Sequence, residues 1–219
     1  MNCAEKREMV RRALLLYAVT DRSWVGEKTL YEQVKASLDG GITLLQLREK
    51  EMPYEDFLRE AKDMKALAAS YRVPLMINDN VDLALAVDAD GVHVGQSDME
   101  AGSVREKLGR DKVIGVSART VLEALRAEKA GADYLGVGAV FSTSTKEDAD
   151  VIAWDTLKEI CQAVSIPVVA IGGIKKDNVM QLAGSGVAGI SVISGIYGQT
   201  DIRAACEELL ALAKEMIKK

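Results

Sequence analysis

The chain has 219 residues, of which 48% are hydrophobic and 28% charged; that is enough for one well-buried core and short for two, so residues 1–219 are read as a single domain. Its 28 Lys and Arg against 33 Asp and Glu leave a net charge of −5, which argues against nucleic acid or an anionic membrane as the main partner. A small anionic ligand stays open, because a local group of cations outweighs the distant mean field, whereas aromatics at 5% are too few for a base-stacking platform.

An amphipathic segment at 4–12 comes first, suited to closing the bottom of a barrel. After it the pattern alternates. Short apolar, β-branched runs at 14–20, 43–48, 75–78, 91–94, 113–117, 134–138, 168–171 and 189–193 read as strands. Most are apolar throughout, as expected of a parallel sheet covered on both faces. Helical patterns lie between them at 34–38, 54–71, 82–87, 121–130, 154–163 and 178–183, and a last one at 202–217 closes the chain. Thr120 is a good N-cap, and Gly40-Gly41, Gly131 and Gly186 stand where helices return to strands. About eight β-α units favour an α/β fold of the closed (β/α)8 TIM barrel type, with an extra N-terminal helix, over an open doubly wound sheet. No Gly-x-Gly-x-x-Gly follows the first strand, which weakens a dinucleotide-binding reading.

The three cysteines, Cys3, Cys161 and Cys206, are widely spaced and form no CxxC pair. They suggest free thiols in a reducing cytoplasm, with neither a zinc site nor a disulfide framework. The basic-then-apolar start is too short at 13–19 for a signal peptide, and Asp21 and Arg22 stand where a cleavage site would fall. No run approaches the ~20 apolar residues of a membrane span.

In such a barrel the chemistry sits at the C-terminal ends of the strands. There the sequence sets Gln46-Leu47-Arg48-Glu49-Lys50, Asn78-Asp79, Gln96-Ser97-Asp98, Ser117, Thr143-Ser144-Thr145-Lys146, Gly172-Gly173 and Ser194-Gly195. Asp79 and Asp98 suit Mg²⁺, which takes one or two carboxylates and shares phosphate oxygens; the plainer reading is that Asp79 caps the following helix. Arg48, Lys50 and Lys146 suit a diphosphate. The glycine-rich turns after the last two strands suit a phosphate monoester. His93, the single histidine, lies inside a strand and reads as a core or hydrogen-bonding residue, and Trp24 and Trp154 read as packing.

Together, residues 16–21 (LYAVTD), 41–50 (GITLLQLREK), 75–79 (LMIND), 90–99 (DGVHVGQSDM), 114–117 (IGVS), 136–146 (GVGAVFSTSTK), 168–174 (VVAIGGI) and 192–194 (VIS) resemble the thiamin phosphate synthase family. The resemblance implies a Mg²⁺-dependent transferase that joins an aminopyrimidine diphosphate to a thiazole phosphate. It implies that Gln46, Arg48, Lys50, Asn78, Ser117 and Lys146 contact the diphosphate substrate, with Arg48, Lys50, Ser117 and Lys146 as the catalytic set. It implies that Asp79 and Asp98 hold the metal, and that Thr143, Thr145, Gly173, Ile193 and Ser194 hold the thiazole phosphate. Leu47, Glu49 and Ser144 are counted with these binding segments. Ala139 and Ser142 stand where the family's loop carries prolines, and the stretch from Asp150 lacks its usual Pro and Gly, so a less rigid loop is expected. The implied partners are small phosphorylated molecules, and a homo-oligomer is left open. A thiazole tautomerase-like enzyme and a non-catalytic thiazole-phosphate-binding barrel are the alternatives.

Overall fold

The computed structural model describes residues 2–95, 101–143 and 151–219. Eight parallel strands close into a barrel: β1 (Leu16–Val19), β2 (Leu44–Leu47), β3 (Leu75–Asn78), β4 (Gly91–Val94), β5 (Val113–Ala118), β6 (Tyr134–Val137), β7 (Val168–Ile171) and β8 (Gly189–Val192). Tyr17 pairs with Leu44 on one side and Ser191 on the other, which shuts the sheet. The helices are α1 (Cys3–Ala13), α2 (Leu30–Asp39), α3 (Tyr54–Ser70), α4 (Val81–Ala86), α5 (Ala101–Leu108), α6 (Val121–Lys129), α7 (Trp154–Ala163), α8 (Ser194–Tyr197) and α9 (Ile202–Met216). No described helix is long and apolar enough to cross a membrane.

All eight expected strands are present, β3, β4 and β7 at the expected bounds and the other five with ends shifted by a residue or two. The first begins at Leu16 because Leu14 is spent as the C-cap of α1. Two helices differ more. α2 starts at Leu30, four residues before the expected 34, because Thr29 and Glu32 form a capping box that satisfies the first turn. The segment expected at 178–183 is a single 3-10 turn, Val179–Leu182. α5 and α8 were not anticipated. Thr120 caps α6 as expected, accepting from the Glu123 amide.

Alternation along each strand sorts its residues into two cores. Leu16, Leu45, Leu47, Ile77, Val92, Ile114, Leu135 and Ile190 face outward and pack with the helices. Tyr17, Leu44, Met76, Val113, Tyr134 and Val169 face inward, and Val10 of α1 joins them from below. α1 therefore plugs the barrel as expected. Burying Val10 contributes about 1.5–3 kcal/mol. Lys6 fastens the plug, reaching the Arg110 and Lys112 carbonyls at 2.8 and 2.9 Å and Asp133 at 2.9 Å. Asp133 also binds Arg105 and accepts from the Ile114 amide at 2.8 Å.

Among the inward positions that carry no side chain, Gly115 and Gly136 lie beside the aromatic rings of the lumen. A Cβ on Gly115 would overlap the Tyr134 ring, and one on Gly136 would come within 3.0 Å of the His93 ring. These glycines make room for the aromatic side chains that cross the lumen. Gly115→Ala is accordingly expected to cost about 1–3 kcal/mol by overpacking, read as a lower denaturation midpoint with an unchanged slope. An unaltered midpoint would refute this packing.

Candidate active site

A cavity of about 590 Å³ opens at the C-terminal ends of the strands. Its composition follows from the alternation. The last inward residues of β2, β3, β4, β5 and β8 are Gln46, Asn78, His93, Ser117 and Ser191, all polar and all lining it. The same period continues past β2, so that Gln46, Arg48 and Lys50 line the cavity. Leu47 points the other way and is fully buried beneath the helices.

Arg48 is held in place. Its backbone N–H donates to the Thr20 hydroxyl at 2.9 Å, and its guanidinium Nη1 meets the Asp21 carboxylate at 3.0 Å. Asp21 also accepts from the Ser23 amide at 2.9 Å. Burial pushes the Asp21 carboxyl up, but the Ser23 hydrogen bonds and the charges of Arg48 and Lys50 outweigh it, and the carboxyl settles below its ordinary range. Glu49 turns away from the cavity to Arg22, whose guanidinium also takes both oxygens of Glu60 at 2.6 and 2.7 Å. Burial raises the Glu49 carboxyl although Arg22 opposes it.

Asp79 sits on the cavity rim with φ of 59°, its amide donating to the His93 carbonyl at 2.9 Å. It does not cap α4. Asn80 does, accepting from the Leu83 amide at 2.9 Å, so the cap that competed with a binding role for Asp79 is filled by its neighbour. The Asn78 amide donates to an Asp79 oxygen. A hard carboxylate oxygen beside Arg48 and Lys50 fits Mg²⁺, which needs few protein ligands when phosphate and water supply the rest. No group of three metal-ligating side chains occurs among the described residues. Asp98, Ser144, Thr145 and Lys146 lie outside the described residues.

The floor is a hydrogen-bonded chain that sequence reading had missed except at its ends and at His93. The Gln46 amide donates to the Tyr17 hydroxyl. Tyr17 meets the Tyr134 hydroxyl at 2.9 Å, Tyr134 meets His93 Nδ1 at 2.9 Å, and His93 Nε2 meets Ser117 Oγ at 3.0 Å. Burial raises both phenols far above their usual range, so both are neutral. Ser191 Oγ, also inward-facing, is 2% exposed and has no hydrogen-bond partner among the described residues.

At the opposite wall, Thr143, Gly173, Ile193 and Ser194 line the same cavity. Gly172 and Gly173 have φ of 101° and 66°, and a Cβ on Gly173 would strike the Ser142 carbonyl, so glycine is needed where the β6 and β7 loops touch. Asn178 Nδ2 fixes this turn by donating to the Gly173 carbonyl at 2.9 Å. Val140 and Phe141 donate to Ile171 and Gly172 at 3.0 Å each, extending the ladder beyond the strands.

Fold and cavity define the class: a (β/α)8 barrel with a polar-floored cavity, rimmed by Arg48, Lys50 and Arg119, at the end where barrel enzymes carry their chemistry. Residues 16–196 match the family described as thiamine monophosphate synthase. A thiamine-phosphate synthase of Ruminiclostridium cellulolyticum is 52% identical over 197 residues, spanning 90% of this chain and 94% of that one. One of Clostridium tetani is 50% identical over 200 residues, with 91% and 96% spanned. The solved thiamine phosphate pyrophosphorylase of Pyrococcus furiosus superposes with a TM-score of 0.88 at 43% identity, covering 95% of this chain and 99% of that one. The chain belongs to the thiamine monophosphate synthase family.

Asp21→Asn is expected to destabilise the protein by about 1–3 kcal/mol at neutral pH, since Arg48 loses its charged partner. Because the folded carboxyl is depressed, its contribution is full above the unfolded value near ~3.9 and fades as pH falls through the lower folded value. Denaturation midpoints should therefore differ between wild type and variant above about pH 5 and converge at lower pH. A gap that widened on acidification would contradict the pairing.

Proposed function

We propose that the chain is a thiamin phosphate synthase that uses Mg²⁺. It couples 4-amino-2-methyl-5-(diphosphomethyl)pyrimidine with 4-methyl-5-(2-phosphoethyl)thiazole, or its carboxylated form, and yields thiamin monophosphate and pyrophosphate. The observation that carries this reading is one cavity lined by cations and a carboxylate on one side and by hydroxyls and a glycine turn on the other. Arg48, Lys50 and Asp79 stand on one side, and Thr143, Gly173 and Ser194 on the other, with Ser117 sharing the space.

The division of labour follows from charge. As the diphosphate leaves it gathers negative charge, which Arg48, Lys50 and Lys146 stabilise. Asp79 and Asp98 would hold Mg²⁺, which would supply positive charge to offset that of the diphosphate. The pyrimidine methylene left behind is a cation supported by its own ring and amino group, and the thiazole nitrogen attacks it. That nitrogen carries no proton, so the site needs no general base, in keeping with a chain whose one histidine is tied into the floor. Gln46, Asn78 and Ser117 orient the pyrimidine; Thr143, Thr145, Gly173, Ile193 and Ser194 hold the thiazole phosphate in line and help exclude water.

The compartment is the cytoplasm. All three cysteines are free thiols, in keeping with a reducing compartment.

Pyrophosphate release is expected only when both substrates and Mg²⁺ are supplied, and EDTA should abolish it. Arg48→Ala and Lys146→Ala are each expected to lower kcat/KM by about 10²–10³-fold while moving the melting temperature far less. Release without the thiazole phosphate, or activity losses matched by equal losses of stability, would sink the assignment.

A further inference from the structure

We propose that His93 is a positioning residue for Ser117, held as the neutral Nε2–H tautomer by a one-way chain of hydrogen bonds that starts at Gln46. The proposal rests on the reading that Ser117 contacts the aminopyrimidine diphosphate, but its structural half can be tested without any substrate.

The direction follows from counting hydrogens. An amide nitrogen only donates, so the Tyr17 oxygen accepts from Gln46. Tyr17 is neutral and has one hydrogen to place. Its other hydrogen-bond partner is the Tyr134 oxygen at 2.9 Å. Tyr134, having accepted there, has its own single hydrogen for His93 Nδ1 at 2.9 Å. Nδ1 is then the lone-pair nitrogen, and the neutral ring carries its proton on Nε2, which donates to Ser117 Oγ at 3.0 Å. Ser117 accepts, so its hydroxyl hydrogen is directed away from His93, as a donor. Turning the Gln46 amide over would reverse every link. The ring would then carry its proton on Nδ1, and Ser117 would donate to the ring. The tautomer of one side chain thus reports the polarity of the whole chain.

The packing is arranged around this chain. It crosses the lumen from β2 and β1 to β6, β4 and β5, and the glycines at 115 and 136 leave the space that Tyr134 and His93 occupy. Both ends, Gln46 and Ser117, line the cavity. A ligand that touches both ends meets a donor at Ser117 whose direction was set inside the protein, before binding.

The chain holds a single histidine, so an imidazole ¹H–¹⁵N correlation spectrum of the ¹⁵N-labelled protein has one ring to report. The expected spectrum shows a pyridine-like Nδ1 and a pyrrole-like Nε2. Tyr134→Phe removes the link without touching Gln46 or Ser117, and should give averaged, mixed-tautomer shifts. In the coupled assay His93→Leu is expected to lower kcat about tenfold or more with little change in the KM for the thiazole phosphate. His93→Gln keeps an N–H at the ε position and should recover most of that loss. A wild-type ring protonated on Nδ1, or on both nitrogens, overturns the proposal, as does equal impairment in the Gln and Leu variants. A wild-type protein that releases no pyrophosphate would refute the synthase reading instead, and the spectrum would still decide the tautomer.

Discussion

The rest of the structure depends on closure of a parallel sheet whose side chains alternate. Closing eight short strands removes every sheet edge and pairs the backbone of each strand with both neighbours. Each strand must then send every second residue into a narrow lumen. A polar residue sent there has to find a partner inside it or open onto a ligand. The lumen divides accordingly. Its lower part is apolar, built from Leu44, Met76, Val113 and Val169 and sealed by Val10. Its upper part is polar, and because all strands run the same way, Gln46, Asn78, His93, Ser117 and Ser191 meet at one end although they are far apart in sequence.

The fold was legible because its signal is carried by apolar runs with helical patterns between them. Which face each residue takes was not, since strands covered on both sides are apolar on both sides. Tyr17 looked no different from its neighbours in LYAV, and Tyr134 no different from the run it opens. Only pairing register and closure turn both rings inward, where their hydroxyls meet. The same ambiguity let Leu47 stand beside Gln46 as an equal candidate, although it packs under the helices. α5 escaped notice because its apolar signal is thin, with Val104 and Leu108 as its buried residues. That Asn80 caps α4 in place of Asp79 was not legible, since the sequence does not display the left-handed backbone at Asp79.

Charge shows how local geometry overrides composition. The run Arg48-Glu49-Lys50-Glu51 is neutral on paper, in a chain of net charge −5. The alternation inherited from β2 separates the signs, with Arg48 and Lys50 lining the cavity and Glu49 bound to Arg22 beside Glu60. Among the described residues Asp21 is the carboxylate that pairs with Arg48, and it grips a single guanidinium nitrogen, Nη1. A guanidinium has five N–H donors in a rigid fork, so this grip fixes the plane without exhausting the donors. The side chain is ordered in advance, and less entropy is lost when an anion arrives.

The cavity therefore combines two kinds of control that act over different ranges. On the proposed reading, charges on the rim attract and stabilise an anion whose exact pose varies as it leaves, and Coulomb forces tolerate that variation. The floor works through hydrogen bonds that demand alignment within a few tenths of an ångström, which suits holding a flat ring still. On the same reading, a floor charge would compete with the rim for the diphosphate or meet the developing methylene cation at close range. Neutral phenols, an amide and a hydroxyl avoid both, and their hydrogen bonds with one another and with the imidazole offset the cost of burying them.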